Sequence, residues 1–358
     1  MPAFNRVDPI LQKNKVHPED FMFELPEERV PEYPKEPRDA SKLMVLNKTH
    51  DNLEHHVFSD ITEYLAEGDV LVVNNTRVRP AKFQTIKEET GDPIDVTLVR
   101  KLGDRTWEIS VNPPRKVRIG NSLKFADNLS SDVIDNTIAS GRVVQFHQTD
   151  EEVEDALDQI GQMPLPPYVQ REAEPKDKKL YQSVFGKVDG TIVAPAATLH
   201  FTDSLVKKLQ DKGVKFAEIT LHPGMEKFEQ ITVSEIAKYS MHSESYNIPV
   251  ESAEIINNGR KAGHKIIAVG GSTLRAMESS HYNGEVVVPQ RDWTDLFIFP
   301  PFNVLTVDGL ITNFHQPQSP TLLLQCAFLS TNRIMDAYDT ALENDYRFRV
   351  FGDAMMII

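Results

Sequence analysis

The sequence predicts an α/β protein: a mixed sheet flanked by helices, with a small all-β barrel domain inserted into it. Three observations carry this. After about residue 190, short apolar runs alternate with amphipathic helical patterns, as in an open sheet covered on both faces. From about residue 80 to 148 helical periodicity disappears, and short strand-like runs follow one another between Gly, Asn, Asp and Pro turns. The length of 358 residues leaves room for two domains. The expected organisation is a loosely ordered extension over 1–20, a discontinuous α/β catalytic domain over 21–78 and 150–358, and the barrel over 79–149.

The elements follow in order. LMVLN (43–47) and DVLVVN (69–74) read as short buried strands. Between them SDITEYLAEGD reads as a helix, with a Ser/Asp start, apolar Ile61, Tyr64 and Leu65, and a stop at Gly68. DPIDVTLVRKL, RTWEISVNP, NSLKFAD, SDVIDNT and GRVVQFHQ are the barrel strand candidates. EEVEDALDQIG is a helix, and PLPPYV a rigid extended connector, because each proline fixes its own φ and restrains its predecessor. TDSLVKKLQDKG is an amphipathic helix with an N-cap and a glycine stop. VKFAEITLH is a strand, VESAEIINNGRKAG a helix, HKIIAVG a strand and STLRAMESS a helix. DLFIFP and DGLITNF read as strands, SPTLLLQCAFL and NRIMDAYDTALEND as helices.

Hydrophobic residues at 40% and charged residues at 26% suit a globular protein. The single cysteine, Cys326, forbids an internal disulfide or a thiolate metal cluster. No apolar run approaches the ~20 residues that span a membrane, and the N-terminus lacks a signal-peptide apolar core; the expectation is a cytoplasmic protein that does not engage a membrane. HExxH and CxxC are absent, and the one close His pair, His55-His56, falls in an expected exposed hairpin, so no metal site is expected. A net charge of −14 argues against non-specific nucleic-acid binding. It leaves room for a local basic patch: Arg77, Arg79 and Lys82, or Arg115, Lys116 and Arg118, form either such a patch or a solvated face.

Four strand candidates end on histidine, glycine or amide residues. VKFAEITLH ends at His222, HKIIAVGGS at Gly270-Gly271-Ser272, and DGLITNFH at Asn313 and His315; LHFT carries His200 just before a helix that Thr202 or Asp203 caps. Ligands of open α/β sheets bind outside the carboxyl ends of the strands. The glycine turn is either a tight βα connection capped by Ser272 or a place where backbone and helix N–H groups approach an anion, with Arg275 one turn further on. Each histidine, taken singly, reads equally as a packing or surface residue. Other polar-rich stretches hold Arg38 and Asp39, Asn75 and Arg77, His242 and Glu244, Asp295, and Arg347 and Asp353.

These stretches, in this order, resemble one family: the S-adenosylmethionine:tRNA ribosyltransferase-isomerases of queuosine biosynthesis. The likeness runs from about Phe21 to Ile358. It is carried by P-R-D-A-S-x-L, V-N-N-T-R-V-x-P-A, M-P-L-P-P-Y, A-P-x-A-x-L-H-F-T, M-H-S-E, W-T-D-L-F-I, D-G-L-I-T-N-F-H and Y-R-F-x-x-x-G-D-A-M. The resemblance implies an α/β domain with an inserted barrel, acting as a monomer. It implies transfer of the ribosyl group of S-adenosylmethionine, as co-substrate, to 7-aminomethyl-7-deazaguanine in the tRNA anticodon loop. The ribose rearranges to an epoxycyclopentanediol, adenine and methionine leave, and no metal is required. On this reading His200, His222 and His315 supply proton transfer and ribose contacts, with Asp353 beside them. Gly270, Gly271, Ser272 and Arg275 hold the methionine or ribose end, and Asp295 with Asp353 bonds hydroxyls, the adenine or the amine. Arg38 and Arg77 approach tRNA phosphate or order the cleft; Asp39, Asn75, His242, Glu244 and Asn313 complete the substrate-binding set.

The chain departs from the family pattern in loops near these residues. Thr198 stands where P-T-A-G-L-H-F has glycine. His222-Pro223-Gly224-Met225-Glu226-Lys227-Phe228 replaces H-V-G-x-G-T-F, and Pro320 precedes Thr321. Two readings follow: a working enzyme with compensating changes, or a paralogue with an altered nucleoside substrate or a binding-only role.

Overall fold

The computed structural model describes residues 16–137, 141–224, 230–282 and 286–358, omitting the side chain of Tyr282. Nine strands form one mixed sheet: β1 (Lys42–Leu46), β2 (Leu53–Val57), β3 (Val70–Asn74), β4 (Lys215–Leu221), β5 (Glu244–Ile248), β6 (Ile266–Val269), β7 (Gln290–Thr294), β8 (Gly309–Asn313) and β9 (Ala354–Ile357). Their spatial order is β7-β5-β4-β3-β6-β8-β9-β1-β2. The central four, β4-β3-β6-β8, are mutually parallel, with Val72 opposite Ala217 on one side and Ala268 on the other.

Alternating side chains build two cores from these strands. Val70, Val72, Ala268 and Leu310 face one way. They meet Ile256 of α3 (Val250–Lys261, after α1 and α2 below), Leu274 and Met277 of α4 (Gly271–Ser280), Leu322 of α5 (Pro320–Phe328), and Ile334 and Tyr338 of α6 (Thr331–Glu343). Leu71, Val73, Val269 and Ile311 face the other way, onto Phe58, Phe201, and Leu205 and Leu209 of α2 (Asp203–Asp211). The sheet is therefore the middle of three layers.

The barrel closes from six antiparallel strands, Lys82–Lys87, Pro93–Gly103, Thr106–Asn112, Ser122–Ala126, Leu129–Asn136 and Arg142–Phe146. Phe83, Trp107, Phe125 and Phe146 fill it, and Val153 and Leu157 of α1 (Asp150–Ile160) join that core. Thr149 and Glu152 form a reciprocal capping box at the start of α1. The chain enters and leaves this unit at one point. Gln162 accepts from the N–H groups of Ala81 and Lys82 at 3.0 and 3.1 Å and donates to the Lys82 carbonyl at 2.9 Å.

Three expectations about elements are corrected. LHFT is not a strand: Ala196–His200 form a 3₁₀ turn, held by the Thr198 N–H on the Pro195 carbonyl at 3.0 Å. SDITEYLAEGD holds a single α turn, Ile61–Tyr64, behind a 3₁₀ turn, Phe58–Asp60. Leu65 turns extended because the Asp69 carboxylate takes the Ala66 N–H at 2.8 Å, so the acid competes with helix propagation. DLFIFP is not a strand: the strand is Gln290–Thr294, and the chain then leaves the sheet edge. Thr294 Oγ1 accepts from the Leu296 N–H at 3.1 Å, and Arg275 Nε donates to the Leu296 carbonyl at 2.8 Å. Of the expected N-terminal extension, residues 1–15 lie outside the described residues; Pro18–Phe21 form a 3₁₀ turn with Phe21 buried in the core.

Asn74 closes the β3 end of the sheet. Its Oδ1 accepts from the N–H groups of Thr76 and Leu221, both at 3.1 Å, and its Nδ2 donates to the Leu221 carbonyl at 2.8 Å. Asn74→Ala strips partners from these buried groups and is expected to cost about 2–4 kcal/mol of stability, read as a lower urea midpoint at unchanged slope.

Candidate active site

Because β3, β4, β6 and β8 run parallel, their carboxyl ends deliver Asn75, His222, Gly270 and His315 to one edge of the sheet. Gly270 has φ +96°, a left-handed conformation that a side chain would strain. Its N–H is fixed to the Ile311 carbonyl at 2.7 Å, so the β6–α4 turn is locked to β8. Ser272 is buried in the first turn of α4.

Two small adjoining cavities lie over the N-termini of α4 and α5. Gly271, Ser272, Arg275, Glu244, Pro223 and Thr321 line one. His315, Ser319, Thr321, Tyr168 and Arg349 line the other. Arg275 and Glu244 are a buried ion pair; Arg275 also donates to the Leu296 and Thr294 carbonyls at 2.8 and 3.3 Å, and Glu244 accepts from the Gly224 N–H at 3.1 Å. Arg275 thus ties α4 to the exit of β7, while Glu244 holds the loop after His222. His315 is half-buried; its Nε2 lies 3.0 Å from Thr312 Oγ1, and its N–H donates to the buried Tyr338 hydroxyl at 2.9 Å.

Beneath these cavities runs a buried polar chain. Asn313 Nδ2 donates to the Arg349 carbonyl at 2.9 Å, which orients its Oδ1 to accept from His200 Nε2 at 3.2 Å. The Nδ1 of His200 lies 2.8 Å from the Ser41 hydroxyl, which donates to the Arg38 carbonyl at 2.8 Å, and Phe58 stacks on the ring at 4.9 Å. Burial pushes the His200 pKa down to about 4, against a smaller opposing pull from Asp353, so the ring is neutral. Asp353 accepts from the Lys42 and Arg347 N–H groups at 3.0 and 2.8 Å and pairs with the Arg347 guanidinium at 3.1 Å.

His222 faces a larger cavity of about 670 Å³ between sheet and barrel, lined also by Arg79, Trp107, Asp189, Arg291 and Trp293. Its Nδ1 lies 2.6 Å from Thr76 Oγ1, and burial lowers its pKa, with the Arg291 charge acting in the same direction. Arg77 makes a two-pronged pair with Asp189 at 2.6 and 2.7 Å on the exposed rim of this region. Asn75 Oδ1 accepts from Thr220 Oγ1 at 2.7 Å.

The remaining expected residues stand apart from these cavities. Arg38 donates to the carbonyls of Gln182, at 2.6 Å, and Lys179; Asp39 accepts from Thr202 Oγ1 at 2.6 Å. Asp295 and His242 are exposed. The cavity beside His315 also contains two residues that sequence reasoning passed over. Tyr168 was legible only as part of the proline connector, and Arg349 lies at an unspecified position of Y-R-F-x-x-x-G-D-A-M.

The departures have structural places as well. Thr198 is fully buried, and its hydroxyl donates to the Pro195 carbonyl at 2.7 Å, so its side chain folds into the 3₁₀ turn Ala196–His200. Pro320 occupies the first position of α5 after the Ser319 N-cap, where a missing N–H costs no helix bond. Residues 225–229, with the Glu226-Lys227 change, lie outside the described residues.

A family model described as queuosine biosynthesis protein matches residues 18–357. A protein of Chloroherpeton thalassium named S-adenosylmethionine:tRNA ribosyltransferase-isomerase is 43% identical over 341 residues, covering 94% of this chain and 99% of that protein. A protein of the same name from Flavobacterium psychrophilum is 42% identical over 344 residues, with 94% and 99% covered. The crystal structure of an S-adenosylmethionine tRNA ribosyltransferase from Thermotoga maritima matches with a TM-score of 0.53 at 33% identity, covering 95% of this chain and 100% of that one. With its motifs gathered at one sheet edge and this likeness along nearly its whole length, the chain belongs to the queuosine biosynthesis protein family.

Proposed function

We propose that the protein transfers and isomerises the ribosyl moiety of S-adenosylmethionine onto 7-aminomethyl-7-deazaguanine in a tRNA anticodon loop, giving epoxyqueuosine with release of adenine and methionine. The observation that carries this reading is the meeting of the family stretches around Gly270-Gly271-Ser272 and Asn313-Phe314-His315 at one sheet edge, where they line two adjoining cavities that share Thr321. The working-enzyme reading is favoured over the altered paralogue because Thr198 is buried and bonded within its own 3₁₀ turn, and Pro320, which lines the cavity beside Gly271 and Ser272, keeps the N-terminus of α5 intact.

The chemistry asks for a base near the 5′ carbon, which the sulfonium acidifies, and for fixed orientation of the ribose. His315 and His222 line cavities at the edge where the parallel strands end, and we assign proton transfer to them. We assign positioning to His200 and Asp353: each is buried, with His200 holding Asn313 and Asp353 holding the 347–353 turn against β1. The Gly270 turn and the first turn of α4 present backbone N–H groups to the ligand. The cavity at His222, rimmed by Arg77 and Arg291, is the side from which the anticodon loop enters.

The test is to incubate the protein with S-adenosylmethionine and a tRNA bearing 7-aminomethyl-7-deazaguanine, following adenine release and epoxyqueuosine by mass spectrometry. Both products are expected; folded protein that forms neither, beside an active relative, overturns the reading. His315→Ala is expected to lower turnover by about a hundredfold or more with an unchanged thermal midpoint, and near-normal activity removes His315 from the proton-transfer role.

His200 makes a separate prediction about pH. The ring stays neutral in the fold to about pH 4 but takes a proton near pH 6.5 when unfolded. Its contribution is therefore intact above about pH 6.5 and is lost as pH falls toward 4, by roughly 3 kcal/mol in all. Unfolding free energies measured across that window should fall less steeply in His200→Gln; parallel slopes would show that the buried ring does not titrate with unfolding.

A further inference from the structure

We infer that Arg349 binds the carboxylate of the methionine portion of S-adenosylmethionine, in the cavity it shares with His315 and Tyr168. The inference rests on the co-substrate proposed above and adds a residue and a ligand group to it.

Arg349 is placed with unusual constraint for an exposed-type residue. Its backbone has φ 68°, a left-handed conformation uncommon outside glycine, asparagine and aspartate. Both backbone groups are clamped to the end of β8: its N–H donates to the Phe314 carbonyl at 2.7 Å, and its carbonyl accepts from Asn313 Nδ2 at 2.9 Å. The turn around it is tight, since a Cβ at Gly352 would stand 2.5 Å from the Arg347 carbonyl oxygen. The fold therefore aims this side chain from a rigid base.

The guanidinium then goes to an incompletely satisfied place. Its carbon lies 4.3 Å from the centre of the Tyr168 ring, within the range of a cation–π contact, which uses no N–H hydrogen bond. The Nε is buried, yet finds no partner among the described residues. Arg347, two residues earlier, pairs with Asp353, whereas no carboxylate pairs with Arg349 among the described residues. A buried donor without an acceptor is costly, so a native structure that keeps one has a reason to do so.

The surroundings fit one small anion. The cavity measures about 30 Å³, room for a carboxylate head and not for a whole nucleoside. Ser319 and Thr321 line the same cavity at the start of α5, a helix of 9 residues whose N-terminus carries partial positive charge. A planar fork of N–H groups matches a carboxylate two-to-two. Thr321 also lines the neighbouring cavity at Gly271 and Ser272, so a ligand anchored here by its amino-acid end continues directly toward the glycine turn.

The test compares the wild type with Arg349→Met and Arg349→Lys, with circular dichroism and thermal midpoint verifying the fold of each. Binding of S-adenosylmethionine, of its decarboxylated analogue and of the tRNA is measured separately by calorimetry. The wild type should favour S-adenosylmethionine over the decarboxylated analogue by about tenfold or more. Arg349→Met should abolish that preference while leaving tRNA affinity within about twofold, and Arg349→Lys should restore part of it. Equal wild-type affinity for the two adenosyl ligands overturns the inference, as does a loss in Arg349→Met that falls equally on both. A loss confined to tRNA assigns the guanidinium to phosphate and overturns it too. Wild-type protein that binds neither adenosyl ligand fails the co-substrate reading itself, a result distinct from the variant outcomes.

Discussion

Every part of the candidate site depends on the register of the four central parallel strands. β3 is buried on both faces between β4 and β6, and each of its residues serves one of two cores. A slip of one residue would exchange Leu71 and Val73 with Val70 and Val72, confronting both helix layers with the wrong set. The same register fixes how far each strand reaches. Asn75, His222, Gly270 and His315 share an edge because their strands end together, and Asn74 and the Gly270–Ile311 bond hold those ends in line.

Below that edge, polar groups are arranged in a chain in which each member orients the next. The Arg349 carbonyl orients Asn313, the Asn313 amide oxygen meets His200 Nε2, and His200 Nδ1 meets the Ser41 hydroxyl. By holding each amide and ring in one orientation, such a network rigidifies its surroundings. It links the last turn of the chain, 347–353, to the segment before β1 and to β8, elements far apart in sequence. Cavity-lining side chains therefore stand on a base made from both ends of the polypeptide.

The sheet and the barrel were legible because burial leaves a periodic signature. The double-sided run of Val70–Asn74 and the alternation in Thr106–Asn112 are set by local sequence alone. The Gly270 turn and the strand end at Asn313 were legible for a similar reason, since strand-to-turn junctions constrain residue type. What was not legible depends on partners distant in sequence. Nothing local says that Asp69 will intercept the Ala66 N–H and stop a helix, or that Thr294 and Arg275 will draw Leu296 off the sheet edge. Nor does sequence separate a histidine lining a cavity, such as His315, from one sealed beneath it, such as His200. Arg349 was invisible for the same reason: its meaning comes from Tyr168 and α5, neither of them near it in the chain.

The clip between Lys82 and Gln162 bears on how such a molecule tolerates change. Chain entry and exit at the barrel are held by three backbone bonds, as the two strands of a hairpin would be. To the sheet, the whole barrel is equivalent to a short loop, because closure entropy depends on the distance between ends and only weakly on what lies between them. A closed barrel also offers no free strand edge to compete for pairing with the sheet. Length and surface can thus vary within the barrel while the strand ends that carry the site keep their positions, so the two parts of the molecule are free to diverge at different rates.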